Sequence, residues 1–307
     1  MEKGENNNFI IVKELMILKK YETKEMFLEE NLQILLKEEA KNETIIGIIL
    51  EHEDMKVNNW LLGRIEDREK VQAIFVVDDD KNGLLVYFPN KKEVTSEIIS
   101  FLIDNIIDLN INFEEIVIER EYLDIISTLY SNKVNKEEVK IHYTDTLKLE
   151  KLKESYDLDF GDKLIKLEEE VSDPSKLISV VKEIYSDIYN REDCTDEEAL
   201  KIANIYLKKG TYILTDEKEE KIYTQVVNVR KQINGSTIGA VITPKEFRGK
   251  GYAKKCLYAV CSELLKKNKF IVLHVNIQNS SAISVYEKIG FEKIDELVTI
   301  KFKINNY

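Results

Sequence analysis

Apolar residues recur at helical spacing in two consecutive stretches past the middle of the chain. Leu177, Val180, Val181, Ile184 and Ile188 share one face of a helix expected over 174–189. Ala199, Ile202, Ala203, Ile205 and Tyr206 repeat the pattern over 196–207. The stretches 211–214, 223–229 and 238–243 then read as strands between charged or glycine-containing turns, with Asn234-Gly235 as a tight-turn signal before the third. Next comes a helix whose apolar stripe is Ala253, Cys256, Leu257, Val260, Cys261 and Leu264. A buried strand follows at 270–275, then a short helix over 281–289 stopped by Gly290, and an alternating strand at 297–302.

The first half has a similar succession. A helix over 24–40 precedes strands at 60–65, 71–77 and 84–88, a helix over 94–109, a strand at 115–119, a helix over 121–130 and a strand at 139–143. Strand, proline, helix, strand, short helix, strand occurs twice, around Pro89 and again around Pro244. The pattern therefore predicts a duplicated α/β (α+β) fold divided as 1–146 and 147–307, with a charged joint near 145–165. The run 45–50 suits a buried element and falls far short of the roughly 18 apolar residues of a membrane span. Trp60 and Tyr87 are read as core or interface residues.

Composition narrows the function classes. The chain has 307 residues, 43% hydrophobic and 33% charged, with three prolines, which suits well-packed soluble domains. A net charge of −12 opposes general nucleic-acid binding. Cys194, Cys256 and Cys261 lack CxxC spacing and read as reduced thiols of a cytoplasmic protein, the last two as core. The first residues carry no apolar leader. His52, His142 and His274 are too scattered for a metal motif, so no metal is expected. Oligomeric state is not legible.

The chemistry-bearing segment is Arg248-Gly249-Lys250-Gly251-Tyr252-Ala253. Two glycines there leave main-chain N–H groups uncovered, and a helix starting at the same point adds its own unpaired amides and the positive end of its dipole. That is a site for phosphate oxygens. It matches neither GxxxxGK[ST] nor GxGxxG. Between Pro244 and Phe270 lie eight Lys or Arg against two acids. Lys250, Lys254 and Lys255 are candidates for phosphate contact, whereas Lys266, Lys267 and Lys269 read as a solvated face.

About thirty residues on stands a second pattern, Asn279, Ala282, Tyr286, Gly290 and Phe291. The two together, in this order, resemble the GCN5-related N-acetyltransferase family over roughly 210–303. The doubled arrangement is similar to tandem members whose first half has lost the cofactor loop. The resemblance implies a mixed, mostly antiparallel central sheet flanked by helices, with acetyl-CoA as co-substrate and an amine as acceptor. It implies that amides from Arg248, Gly249, Lys250, Gly251, Tyr252 and Ala253 hold the pyrophosphate. It implies that Val241 and Ile242 bond the pantetheine arm through their backbone, and that Tyr286 is the general acid. Asn279 either bonds the pantetheine or caps its helix. Many family members carry a Glu on the strand before the loop. Here that strand, 236–242, has no carboxylate, which leaves the base open between a water chain and a carboxylate from the preceding helices such as Glu192 or Asp193. Three functions stand open: an N-acetyltransferase of a small amine, a non-catalytic acyl-CoA-binding regulator, and an aminoacyl-tRNA-using relative that the acidic balance disfavours.

Overall fold

A computed structural model of the chain describes residues 10–13, 16–51, 60–78, 83–109, 114–130, 139–153, 161–167, 169, 172–189 and 191–301. The chain forms two compact units, Met1–Asp145 with Asp295–Tyr307, and Thr146–Ile294. The sequence pattern keeps everything after 146 in the second half. The structure instead returns the last strand to the first unit.

In the first unit, β1 (Ile10–Lys13), β2 (Met16–Tyr21), β3 (Leu61–Asp67), β4 (Lys70–Asp78) and β5 (Gly83–Tyr87) run antiparallel in chain order. β6 (Glu115–Glu119) joins β5 in parallel over Gly83–Leu85 and Glu115–Val117 only. The final strand, β13 (Glu292–Lys301), pairs antiparallel with β6 through Leu297–Lys301. Residues alternate between the two faces of β4. Ala73, Phe75 and Val77 pack with α3 (Ser96–Asp108) and α4 (Leu123–Tyr130), whereas Ile74 and Val76 pack with α1 (Lys24–Leu35) and α2 (Glu43–Glu51). The run 45–50 thus belongs to a buried helix. The expected 24–40 helix ends at Leu35, where the Asn42 side chain donates to the Leu35 carbonyl at 2.9 Å.

Where β5 and β6 stop pairing, the first unit holds buried charge. Lys91 Nζ lies 2.6 Å from Glu119, and the Tyr87 hydroxyl donates to Glu38 at 3.0 Å. Burial pushes the Glu119 carboxyl up to about 7, against the pull of Lys91, and raises Asp295 as well. The folded state thus favours protonated Glu119. That stability is full below the ordinary carboxylate range and is lost as pH rises through about 7. The thermal midpoint of this unit is expected to fall between pH 5 and pH 8 (about 5 and 8, spanning the shift). Glu119→Gln should flatten that slope in a melting series; an equal slope in the variant would assign the dependence elsewhere.

In the second unit, β8 (Asp162–Leu167), β9 (Thr211–Asp216), β10 (Ile222–Lys231) and β11 (Gly235–Ile242) run antiparallel in that order. β12 (Phe270–Asn276) joins β11 in parallel, and the end of β7 (Lys140–Leu149) lies beside β12. α5 (Ile178–Tyr189) and α6 (Asp196–Lys209) cover one face, α7 (Tyr252–Leu264) and α8 (Ser280–Ile289) the other. From β8 to β13 the order of α-helices and strands repeats that from β2 to β7. The charged joint expected at 145–165 contains the end of β7 and the start of β8. At Gly290, φ is 126° and an added Cβ would lie 2.7 Å from the Lys151 carbonyl, so the site excludes any side chain.

Candidate functional site

β11 and β12 pair over Gly235–Thr237 and Phe270–Val272, and no pair continues beyond them. The rest of β11 therefore borders an opening between two strands. A bulge shapes this part of β11. Val227 faces Gly239 and Gln225 faces Ile242, so β11 holds one residue more than β10 in between. Ala240 takes up the extra length at φ 45°, a left-handed conformation costly for a residue with a Cβ. The bulge resets the alternation. Val241 packs with Tyr252, Ala282 and Tyr286 on the α7 and α8 side, whereas Ala240 and Ile242 pack with Val180 and Ile184 of α5. Gln225, fully buried, donates from Nε2 to the Ala240 carbonyl at 3.4 Å, and its Oε1 has no hydrogen-bond partner. An orphaned buried acceptor of this kind costs about 1–3 kcal/mol.

After Pro244 the chain makes one 3-10 turn, Lys245–Phe247, and then passes through Gly249 at φ 74° and Gly251 at φ 82°. An added Cβ at either glycine meets nothing within 4 Å. Backbone conformation, not crowding, therefore selects glycine here. Gly251 is the N-cap of α7 and has no side chain to satisfy the helix end. Among the described residues, the main-chain N–H groups of Gly249, Lys250, Gly251, Tyr252 and Ala253 find no protein acceptor, whereas the Arg248 N–H, expected to act with them, donates to the Lys245 carbonyl at 3.4 Å. The corresponding helix of the first unit differs: Thr95 caps α3 and accepts from Ile98 N at 3.4 Å.

The side chains around the turn are committed to protein. Arg248 Nε donates to the Thr243 carbonyl at 2.9 Å, and its guanidinium binds Glu183, at 3.2 Å, and Asp187 of α5. Glu183 also accepts from Lys245 N, at 2.5 Å. This clamp fixes the turn to α5. Nothing in the sequence marks Glu183 and Asp187, since two acids one turn apart look like any solvated helix face. Lys250 Nζ donates to the Glu246 carbonyl at 3.1 Å and lies over the Phe247 ring. Lys255, nearly buried, pairs with Asp162 of β8 at 3.2 Å. Arg248 and Lys255 are thus met by acids from α5 and β8, and Lys250 by a carbonyl, leaving the main chain of the turn as the open surface. Tyr252 stacks on Tyr223 with ring centroids 4.2 Å apart.

Tyr286 projects from α8 into the core, 7% exposed, edge-on to Phe291. Burial, with Cys261 adding a smaller share, pushes its phenol up to about 12, so the hydroxyl keeps its proton at neutral pH. Asn279 caps α8, its Oδ1 accepting from Ala282 N at 3.1 Å. Cys256 and Cys261 are fully buried, and burial raises both thiols. Of the substitute carboxylates, Glu192 accepts from Ser186 Oγ at 2.7 Å and Asp193 pairs with Arg191 at 3.0 Å. A cavity of about 800 Å³, lined by Lys166, Lys209, Ser236, Glu263 and Lys267, lies at the opposite ends of β11 and α7 and includes neither the glycine turn nor Tyr286. Among the described residues no group of three or more His, Cys, Asp or Glu could hold a metal, and no helix is long and apolar enough to cross a membrane.

Known proteins resemble this chain over part of its sequence and in its fold. Residues 217–300 match the family model described as FR47-like protein. No curated protein matches the sequence. A GCN5-related N-acetyltransferase from Sphaerobacter thermophilus is similar in fold, with a TM-score of 0.61 at 12% identity, covering 96% of this chain and 98% of its own. A GNAT-family acetyltransferase from Colwellia psychrerythraea gives 0.51 at 13%, over 93% and 99%. A Drosophila protein gives 0.63 at 9%, over 94% and 99%. Identities this low speak for a shared fold.

Proposed function

We propose that this chain, a GCN5-related N-acetyltransferase family protein by its FR47-like segment and its fold, transfers the acetyl group of acetyl-CoA to a primary amine of a small acceptor. The observation that carries this reading is the run of five adjacent amides, Gly249 to Ala253, without protein acceptors at the start of a 13-residue helix. A diphosphate matches that surface, each charge-assisted bond contributing about 1.5–3 kcal/mol. Val241 and Ile242 have side chains committed to opposite cores, which leaves main-chain groups to recognise the pantetheine arm. Acetyl-CoA supplies the activated carbonyl. As the amine nitrogen bonds to that carbon and the C–S bond breaks, Tyr286, held protonated, gives its proton to the departing sulfur, the amine gives up its proton to solvent, and the Tyr286 oxygen takes one back from solvent. Three free, buried thiols fit a cytoplasmic setting.

A second reading, a non-catalytic acyl-CoA-binding regulator, draws on the absence of a carboxylate from β11 and the deep burial of Tyr286. Calorimetric titration with coenzyme A and thiol release from acetyl-CoA across a panel of amines separate the two. Binding with turnover supports the transferase, binding without turnover on any amine supports the regulator, and no binding removes both. Tyr286→Phe is expected to lower kcat about 100-fold, within the range for a lost proton donor, while coenzyme A affinity stays within about twofold. Undiminished turnover would strike Tyr286 from the mechanism.

A further inference from the structure

The Gln225 side chain joins β10 to the bulge of β11. Its carboxamide is fully buried, yet only the nitrogen is used, on the Ala240 carbonyl. A Leu or Met of similar size would fill the same space beside Ile213 and Ile242 without an orphaned acceptor. A buried polar group with an unsatisfied atom next to a strained residue is a pattern expected of working sites rather than of cores.

The direction of the bond gives it a purpose. Gln225 lies directly opposite Ile242. Ile242 and Ala240 both belong to the cluster beneath α5, so the carboxamide reaches the bulge from that face. A trans peptide carries its C=O and the following N–H on opposite sides of one plane. With the Ala240 oxygen drawn toward Gln225, the Val241 N–H is directed away from α5. It points to the side where β12 has left β11 and where Val241 and Tyr286 share a cluster.

We infer that Gln225 is a positioning residue: it pins the Ala240 carbonyl and thereby aims the Val241 N–H at the carbonyl of a bound thioester. The inference rests on acetyl-CoA occupying this cleft, as proposed above. Gln225 itself touches no reactant. It holds a left-handed bulge whose amide does.

The test uses the full chain, wild type and Gln225→Met, with Gln225→Leu as a second variant. Melting, coenzyme A affinity, turnover and the Val241 amide resonance in 15N-labelled protein are compared. In the wild type, acetyl-CoA is expected to move the Val241 amide proton downfield where coenzyme A does not. In the variants, melting temperature should hold or rise, coenzyme A affinity should stay within about twofold, the thioester-specific displacement should vanish and kcat should fall about 10- to 100-fold, approaching the effect of removing one oxyanion donor. A structural role predicts the opposite: lower stability with unchanged kcat. Variants that bind coenzyme A and keep both the Val241 displacement and kcat overturn the inference alone. A wild type that binds acetyl-CoA without any thioester-specific response at Val241 also overturns it, whatever the variants do. A wild type that binds neither ligand overturns the functional reading and this inference with it.

Discussion

A Gly249→Glu variant is expected to lose coenzyme A affinity by at least about 100-fold while melting close to wild type. Two effects add. Gly249 sits at φ 74°, where a Cβ costs about 1–2 kcal/mol, so the turn relaxes toward a geometry that no longer gathers its amides. A carboxylate then stands where a diphosphate must approach, and the loss of even one charge-assisted bond is about 1.5–3 kcal/mol. Together these reach the roughly 2.8 kcal/mol that a 100-fold change in Kd represents. The fold should survive because the position is exposed and an added Cβ meets nothing within 4 Å. Gly249→Ala, with the conformational effect alone, should lose about 10-fold. Calorimetric titration reads both; a Glu variant within about threefold of wild type would show that the diphosphate binds elsewhere.

The second large effect concerns stability. Deleting residues 295–307 is expected to unfold the first unit while the second keeps its structure. Val298 is fully buried in the first unit's core and Ile300 nearly so. Burying two such side chains contributes about 3–6 kcal/mol. Five ladder positions on β6, from Glu115 to Glu119, would lose their partners as well. This approaches the whole of a typical domain's 5–15 kcal/mol (about 5–15). Hydrogen exchange should show loss of protection in β4 and β6 with protection retained in β10 and β12. Uniform protection in the truncated chain would refute the assignment of β13 to the first unit's core. Val298→Asp should reproduce the effect in part, without shortening the chain.

What the sequence revealed follows from which forces leave a local trace. Helices α5, α6 and α7 and strands β10 to β12 carry strong periodicity because each buries one face or both. The glycine turn was legible because its dihedrals demand glycine at two positions. β8 leaves no such trace because it is an edge strand whose Lys163 and Lys166 face solvent and break the apolar run. α2 reads in the sequence only as a buried element, since five aliphatic residues and a glycine are too short a run to fix a period. The clamp of Arg248 on Glu183 and Asp187 joins residues about sixty positions apart, and charge alone marks no partner at that distance. Gln225 was invisible for another reason. A glutamine in a β-rich run looks like an ordinary polar position, and only the bulge, itself a tertiary feature, turns its amide toward Ala240.

The return of β13 to the first unit sets an order of events during synthesis. The first unit's residues leave the ribosome early, but β6 has no neighbour on its outer edge until some 170 further residues have been translated. Throughout that interval a nascent strand of sequence Glu115-Ile116-Val117-Ile118-Glu119 lies open to any passing extended segment. Its flanking glutamates are suited to discourage such company, and the first unit finishes folding only once the residues of the second have been made.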